Sequence, residues 1–167
     1  MERAPGQGMA DLDEIYNTKL LELAAHMPCS ERLKAPDATA TAHSKLCGST
    51  ITIDLNMSGD RVTGFGQTVK ACLLGQATAA IVGGHVIGAT AAEVRAAAAA
   101  MRAMLKENGE PPTGRFADLS LLQPARHYRA RHGSVMLVFH ALEQAISEIE
   151  ARAAARQGAA GAAHAGH

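Results

Sequence analysis

Residues 42–80 read AHSKLCGSTITIDLNMSGDRVTGFGQTVKACLLGQATAA, and the fold is worked out from them. Ile51, Ile53, Leu55 and Met57 alternate with Thr52, Asp54 and Asn56. This is the period of a strand with an apolar face toward a core and a polar face toward water. Ser58-Gly59-Asp60 supplies a turn, because glycine tolerates positive φ and its polar neighbours bond the backbone locally. A second strand follows through Val62, Phe65 and Val69. Cys47 precedes the first strand and Cys72 follows the second, so an antiparallel return brings both cysteines to one end of the sheet. That end is the candidate site.

Past Cys72 the period changes. Leu73, Leu74, Ala77, Ala80 and Ile81 form a helical stripe that stops at Gly83-Gly84. Cys72 therefore stands at or near a helix N-terminus, where unpaired amides and the positive end of the helix dipole favour thiolate over thiol. The alternative role is a buried structural cysteine beside two leucines. Thr90 and Glu93 make a capping box for an Ala-rich helix through Leu105. Asn108-Gly109 and Pro111-Pro112 then leave residues 107–114 as a loop. Leu119, Leu121 and Leu122 form a short apolar segment before Pro124. Arg126, His127, Arg129, Arg131 and His132 are a dense basic cluster, either a docking surface for an acidic partner or a solvated face. A last helix begins at Ser134 and runs through Val135, Leu142, Ile146 and Ile149.

Before the quoted stretch, Leu12, Ile15, Leu20, Leu23 and Met27 suit an amphipathic helix capped by Asp11 and ended by Pro28. Cys29 at that break is an apolar filler or an incidental surface thiol. After a turn at Pro36-Asp37, Ala38 to His43 makes a third, edge strand. The expected fold is α+β, a small, mainly antiparallel three-stranded sheet packed on one face by helices. It is framed by a flexible tail over residues 1–10, a single domain over 11–152, and a disordered Ala/Gly/His tail over 153–167.

The chain has 167 residues, enough for one domain with a real core. Sixteen basic and sixteen acidic residues cancel, so no global field argues for nucleic acid or membrane. The basic cluster also lacks the interleaved aromatics of a nucleic-acid surface. No apolar run reaches the length of a membrane span and no signal core opens the chain, so a cytoplasmic protein is expected. Three cysteines are too few for an extracellular disulfide framework and direct attention to thiol or metal chemistry.

Several of these features, in this order, carry a resemblance. A helix ends before a proline turn, then come APDATA, Cys47-Gly48, the hairpin, and Cys72 at a helix start followed by LLGQATAA. This resembles the U-type iron-sulfur cluster assembly scaffolds, the NifU-, IscU- and SufU-like proteins, over about residues 12–150. The long connection through Pro124 and Arg126 looks more like the SufU-type branch. In the family the first motif is Cys-Gly-Asp, with Ser49 here at the Asp position. The second cysteine matches Cys72, and the third falls on Ser134. The histidine before it in the IscU type falls on Gly133, with His132 one step away. QPARH at Gln123 to His127 stands where the family's LPPVK-type chaperone motif would be.

The resemblance implies a scaffold or carrier, not an enzyme, that binds an iron-sulfur cluster, of [2Fe-2S] type, or metal such as zinc, through Cys47 and Cys72. Ser49, His132 and Ser134 are candidate further ligands or lining residues, and His127 and His43 are more remote ones. Partners implied are a cysteine desulfurase and recipient apo-proteins, with the chain a monomer or weak homodimer. Two alternatives stay open. In one, Cys72 accepts a persulfide sulfur, which needs one nucleophilic thiol. In the other, the fold persists as a binding module without either chemistry.

Overall fold

The computed structural model describes residues 18–46 and 48–165. A helix, α1, covers residues 18–25; its expected Asp11 cap and the tail over residues 1–10 lie outside the described residues. Three strands follow, β1 (Ala38–Ser44), β2 (Ser49–Ser58) and β3 (Arg61–Lys70). Then come α2 (Leu73–His85), α3 (Ala91–Lys106), 3-10 stretches at Gly114–His127 and Arg129–Arg131, and the long α4 (His132–Ala165). The sheet is antiparallel in the order β1-β2-β3, so the fold is the α+β architecture expected.

Alternation in the hairpin does what the sequence requires. Ile51, Ile53 and Leu55 of β2 and Phe65 of β3 are buried on the inner face, with Ala38 and Ala40 of β1 beside them. Each fully buried Ile, Leu or Phe there contributes about 2 kcal/mol. The alanines keep β1 thin, so α4 lies against β1 and β2 and presents Val135, Val138, Phe139, Leu142 and Ile146 to the core. α2 and α3 pack on α4 in turn. Gly59, at φ +61°, opens the two-residue hairpin loop, a conformation that favours glycine. Thr90 and Glu93 form the expected reciprocal capping box at the start of α3. No described helix is long and apolar enough to cross a membrane.

The outer face departs from the expectation. Asp54, expected toward water, is fully buried because residues 28–33 cross the sheet above it. Arg32 grips its carboxylate through two nitrogens, at 2.6 and 3.0 Å, while the Leu33 amide at 3.0 Å and the Thr39 hydroxyl at 2.6 Å donate as well. The crossing strap passes so close that a Cβ at Gly66 would stand 2.3 Å from the Glu31 carbonyl oxygen. At its start the Cys29 carbonyl accepts from the Gln67 amide of β3 at 2.7 Å, and farther along the same edge the Ala89 carbonyl accepts from Val62 at 2.9 Å. β3 is thereby a partly covered edge.

Three boundaries also differ. α2 continues through Gly83-Gly84 to His85, because Gly83 is buried where Gln67 and Pro28 leave no space for a side chain. α4 begins at His132, before Ser134. The Ala-rich segment from residue 153, expected to be disordered, is helical to Ala165. Alanine's high helix propensity extends a helix already nucleated by the packed turns before it.

Three substitutions test this architecture. Burial pushes the Asp54 carboxyl up, but the hydrogen bonds from Arg32, Thr39 and Leu33 and the Arg32 charge outweigh it and hold it below the usual range. Its contribution is therefore present above the unfolded-state value of about 3.9 and is lost as pH falls through the lower folded value. Asp54→Ala should lower the urea unfolding free energy by about 2 kcal/mol at neutral pH, and the gap to wild type should shrink on acidification. A gap independent of pH would contradict the ionised clasp. In α2, a Cβ at Gly75 would meet Ser134 Oγ at 2.3 Å, whereas one at Gly84 meets nothing within 4 Å. Gly75→Ala should cost roughly 1–3 kcal/mol, while Gly84→Ala should be neutral or stabilise by about 0.5 kcal/mol.

Candidate functional site

β3 ends at Lys70 and the chain turns through Ala71 into α2, with Cys72 as its N-cap at φ −64° and ψ 170°. The Cys72 carbonyl accepts the first helical hydrogen bond, from Gln76 at 2.9 Å. Its side chain does not cap the helix; the thiol instead meets the Ser134 hydroxyl of α4, Sγ to Oγ 3.1 Å. Ser134 Oγ is in turn 3.2 Å from Ser49 Oγ, at the start of β2. Ser49 Oγ also accepts from the Cys72 amide at 3.4 Å. The first residue of β2, the N-cap of α2 and the first turn of α4 thus converge on one thiol and two hydroxyls. The hydroxyls are buried and Cys72 is half-buried.

Of the residues expected to cooperate with Cys72, Ser49 and Ser134 are brought to it. Cys47 lies outside the described residues. His132 begins α4 but is turned elsewhere: its Nε2–H is shared between the carbonyls of Ala125 at 3.1 Å and Arg126 at 3.2 Å. Carbonyls only accept, so Nε2 carries the proton and is occupied as a donor. His43 sits on the outer face of the sheet, 3.2 Å from the Thr50 hydroxyl. His127 is exposed beside Arg126. Cys29 packs against the core at φ +56°, its thiol 3.6 Å from the Gly83 carbonyl oxygen, and burial pushes that thiol up. Of the two roles open to Cys29, apolar filler is the one it occupies.

A sulfur at Cys72 has hydroxyl neighbours where the family pattern has a thiolate. Among the described residues no group of three His, Cys, Asp or Glu side chains converges as a metal cage. One thiol and two hydroxyls fall short of the four soft or borderline donors that zinc or a cluster iron takes. The sequence supplies one further soft donor for this end, Cys47. Two glycines whose packing role the sequence did not reveal shape the site. Gly75 allows α2 to approach Ser134, and Gly133 leaves room for Ser44, whose Oγ would be 2.9 Å from a Cβ there. A glycine inside the otherwise helical LLGQATAA stripe was the available signal for the first.

No protein-family model and no curated protein matches the chain. Solved structures do. A crystal structure of the N-terminal part of a nitrogen-fixing NifU-like protein from Brucella abortus is 52% identical, with a TM-score of 0.80, covering 83% of this chain and 96% of that one. A hypothetical protein at 18% identity superposes with a TM-score of 0.73, over 81% of this chain and 98% of the other. A candidate iron-sulfur cluster assembly scaffold protein for the SUF system of Fervidobacterium islandicum AW-1, 16% identical, gives 0.71, over 77% and 93%. The last two speak to the fold alone. The first, at half identity over nearly its whole length, extends the likeness to family, and the chain belongs to the NifU-like family of U-type iron-sulfur cluster assembly scaffolds.

Proposed function

We propose that the chain serves iron-sulfur cluster assembly as a scaffold or carrier, with its cargo held through Cys47 and Cys72. The observation that carries this reading is the Cys72 thiol at the head of α2, 3.1 Å from the Ser134 hydroxyl at the head of α4. The cargo is an iron-sulfur cluster, of [2Fe-2S] type, or iron, with zinc as the alternative metal. Two thiolates supported by hydroxyls bind such cargo more weakly than three or four thiolates do, because alcohol oxygens are poor ligands for soft sites. Weak retention suits cargo that is passed on to recipient apo-proteins. No turnover of a small substrate is part of this role.

A second reading has its own support in the surroundings of Cys72. Among the described residues it is the sole thiol at this end of the sheet, and sulfur acceptance needs one thiol, not a ligand set. In that step the Cys72 thiolate attacks the outer sulfur of a persulfide on a cysteine desulfurase. A sulfur–sulfur bond forms at Cys72, the donor's sulfur–sulfur bond breaks, and the donor cysteine leaves as thiolate. No net oxidation occurs.

The deciding measurement is iron, zinc and acid-labile sulfide content of protein purified without oxygen. Wild type should retain metal, the Cys47→Ala/Cys72→Ala chain should retain none, and Ser134→Cys, adding a third thiolate beside Cys72, should retain several-fold more. Equal, negligible metal in all three would defeat the cargo-holding reading. Incubation with a desulfurase and cysteine then separates the second reading. A mass increment of one sulfur atom on Cys72, absent in Cys72→Ala, supports acceptance, and no increment rejects it.

A further inference from the structure

Beside the thiol site, the end of α3 and the 3-10 stretch before α4 enclose a cavity of about 680 Å³ whose charged lining is of one sign. Lys106 comes from the last turn of α3, Arg126 and His127 from the end of the first 3-10 stretch, and Arg129 from the second. No aspartate or glutamate lines it. Among the described residues Lys106, Arg126 and Arg129 make no ion pair or side-chain hydrogen bond, whereas Arg95, Arg102, Arg115 and Arg152 each have a carboxylate partner. Three unpaired cations are thus gathered in one concavity, while others, such as Lys34 and Lys70, stand apart elsewhere on the surface.

The sequence alone placed Arg126, His127 and Arg129 in a basic run; the fold adds Lys106 from a separate helix and bends the set around one groove. The groove's lining ends one residue before the thiol site on α4. His132 and Gly133 line its inner end, and the next residue, Ser134, touches Cys72.

We infer that this groove is a docking site for an acidic peptide segment of a partner protein, which it holds alongside Cys72. Convergent arginines and a lysine recognise carboxylates through charge-assisted hydrogen bonds, with arginine able to engage a carboxylate through two nitrogens. An extended segment with several carboxylates matches the separated positions of the cations on α3 and on both 3-10 stretches better than a compact ion does. Nucleic acid fits less well, since Leu105 is the sole large apolar lining residue and no Phe, Tyr or Trp ring lines the groove for base stacking. Docking of this kind is screened as ionic strength rises past about 0.1 M, where the Debye length is ~10 Å.

The test is binding of a fluorescent deca-glutamate peptide at low salt to the full chain. Wild type should bind it saturably, Lys106→Glu/Arg129→Glu at least about tenfold more weakly, and the charge-matched control Lys19→Glu/Lys34→Glu within about twofold of wild type. Amide shifts in the wild-type NMR spectrum, which depend on no variant, should centre on Lys106, Arg126 and Gly133. The Cys72→Ala chain should bind as wild type does, so this inference and the cargo-holding reading fail separately. Absence of saturable binding would overturn the inference, as would equal weakening in the control, shifts centred elsewhere, or loss of binding in Cys72→Ala. Binding of tripolyphosphate or oligo-dT as tight as that of the peptide would overturn it in favour of a general anion or nucleic-acid site.

Discussion

The close approach of α2 to α4 at Gly75 and Ser134 is the constraint on which the working end of this molecule depends. α4 is nearly all apolar through its first turns and must lie on the inner face of the sheet, where Ala38 and Ala40 make room for it. α2 leaves the sheet from β3 and has to pass beside the same end of α4. With glycine at position 75 the two backbones come close enough for the Ser134 hydroxyl to reach Cys72. The thiol owes its neighbours to packing, not to a loop that happens to fold over it. Chemistry placed on helix ends that the core itself fixes is held more exactly than chemistry placed on a loop.

The opposite face of the sheet is governed by a different balance. Asp54 would cost several kcal/mol if buried unpaired, yet Arg32, Thr39 and the Leu33 amide all meet its oxygens. The strap of residues 28–33 is thus tied to the middle of β2 by a carboxylate and to the edge of β3 by the Gln67 amide. Gly66 makes the crossing possible, since a Cβ there would run into the Glu31 carbonyl of the strap. Helices cover one face and this strap part of the other. The charged clasp therefore also protects the sheet that positions the thiol end, though it lies far along β2 from Ser49.

Much of this was legible in sequence because it rests on local rules. The alternation in β2, the turn at Gly59, the N-terminal position of Cys72 and the Thr90–Glu93 capping box each depend on a few neighbouring residues, and each stands where expected. What was not legible depends on partners far along the chain. Asp54 reads as a surface residue until Arg32 is known to cross above it. Gly83 reads as a helix stop until Gln67 and Pro28 are seen to fill the space beside it. The donation of His132 Nε2 to carbonyls of the preceding 3-10 stretch is likewise invisible until the two segments are seen together. The Ala-rich end reads as a tail because it has nothing to bury, but helix extension needs only propensity once a packed helix precedes it.

The commitment of His132 bears on the whole working end. By donating to the Ala125 and Arg126 carbonyls it closes the 3-10 stretch against the start of α4, and in doing so it sets the backbone that presents Arg126 and His127 to the basic groove. Removing this buried donor would leave those carbonyls without it, at a cost of about 1–3 kcal/mol. In this chain His132 fixes the shape of the groove, and Ser134 stands beside Cys72 with a hydroxyl. The hydroxyl beside Cys72 and the shape of the cationic groove are thus both set at the head of α4.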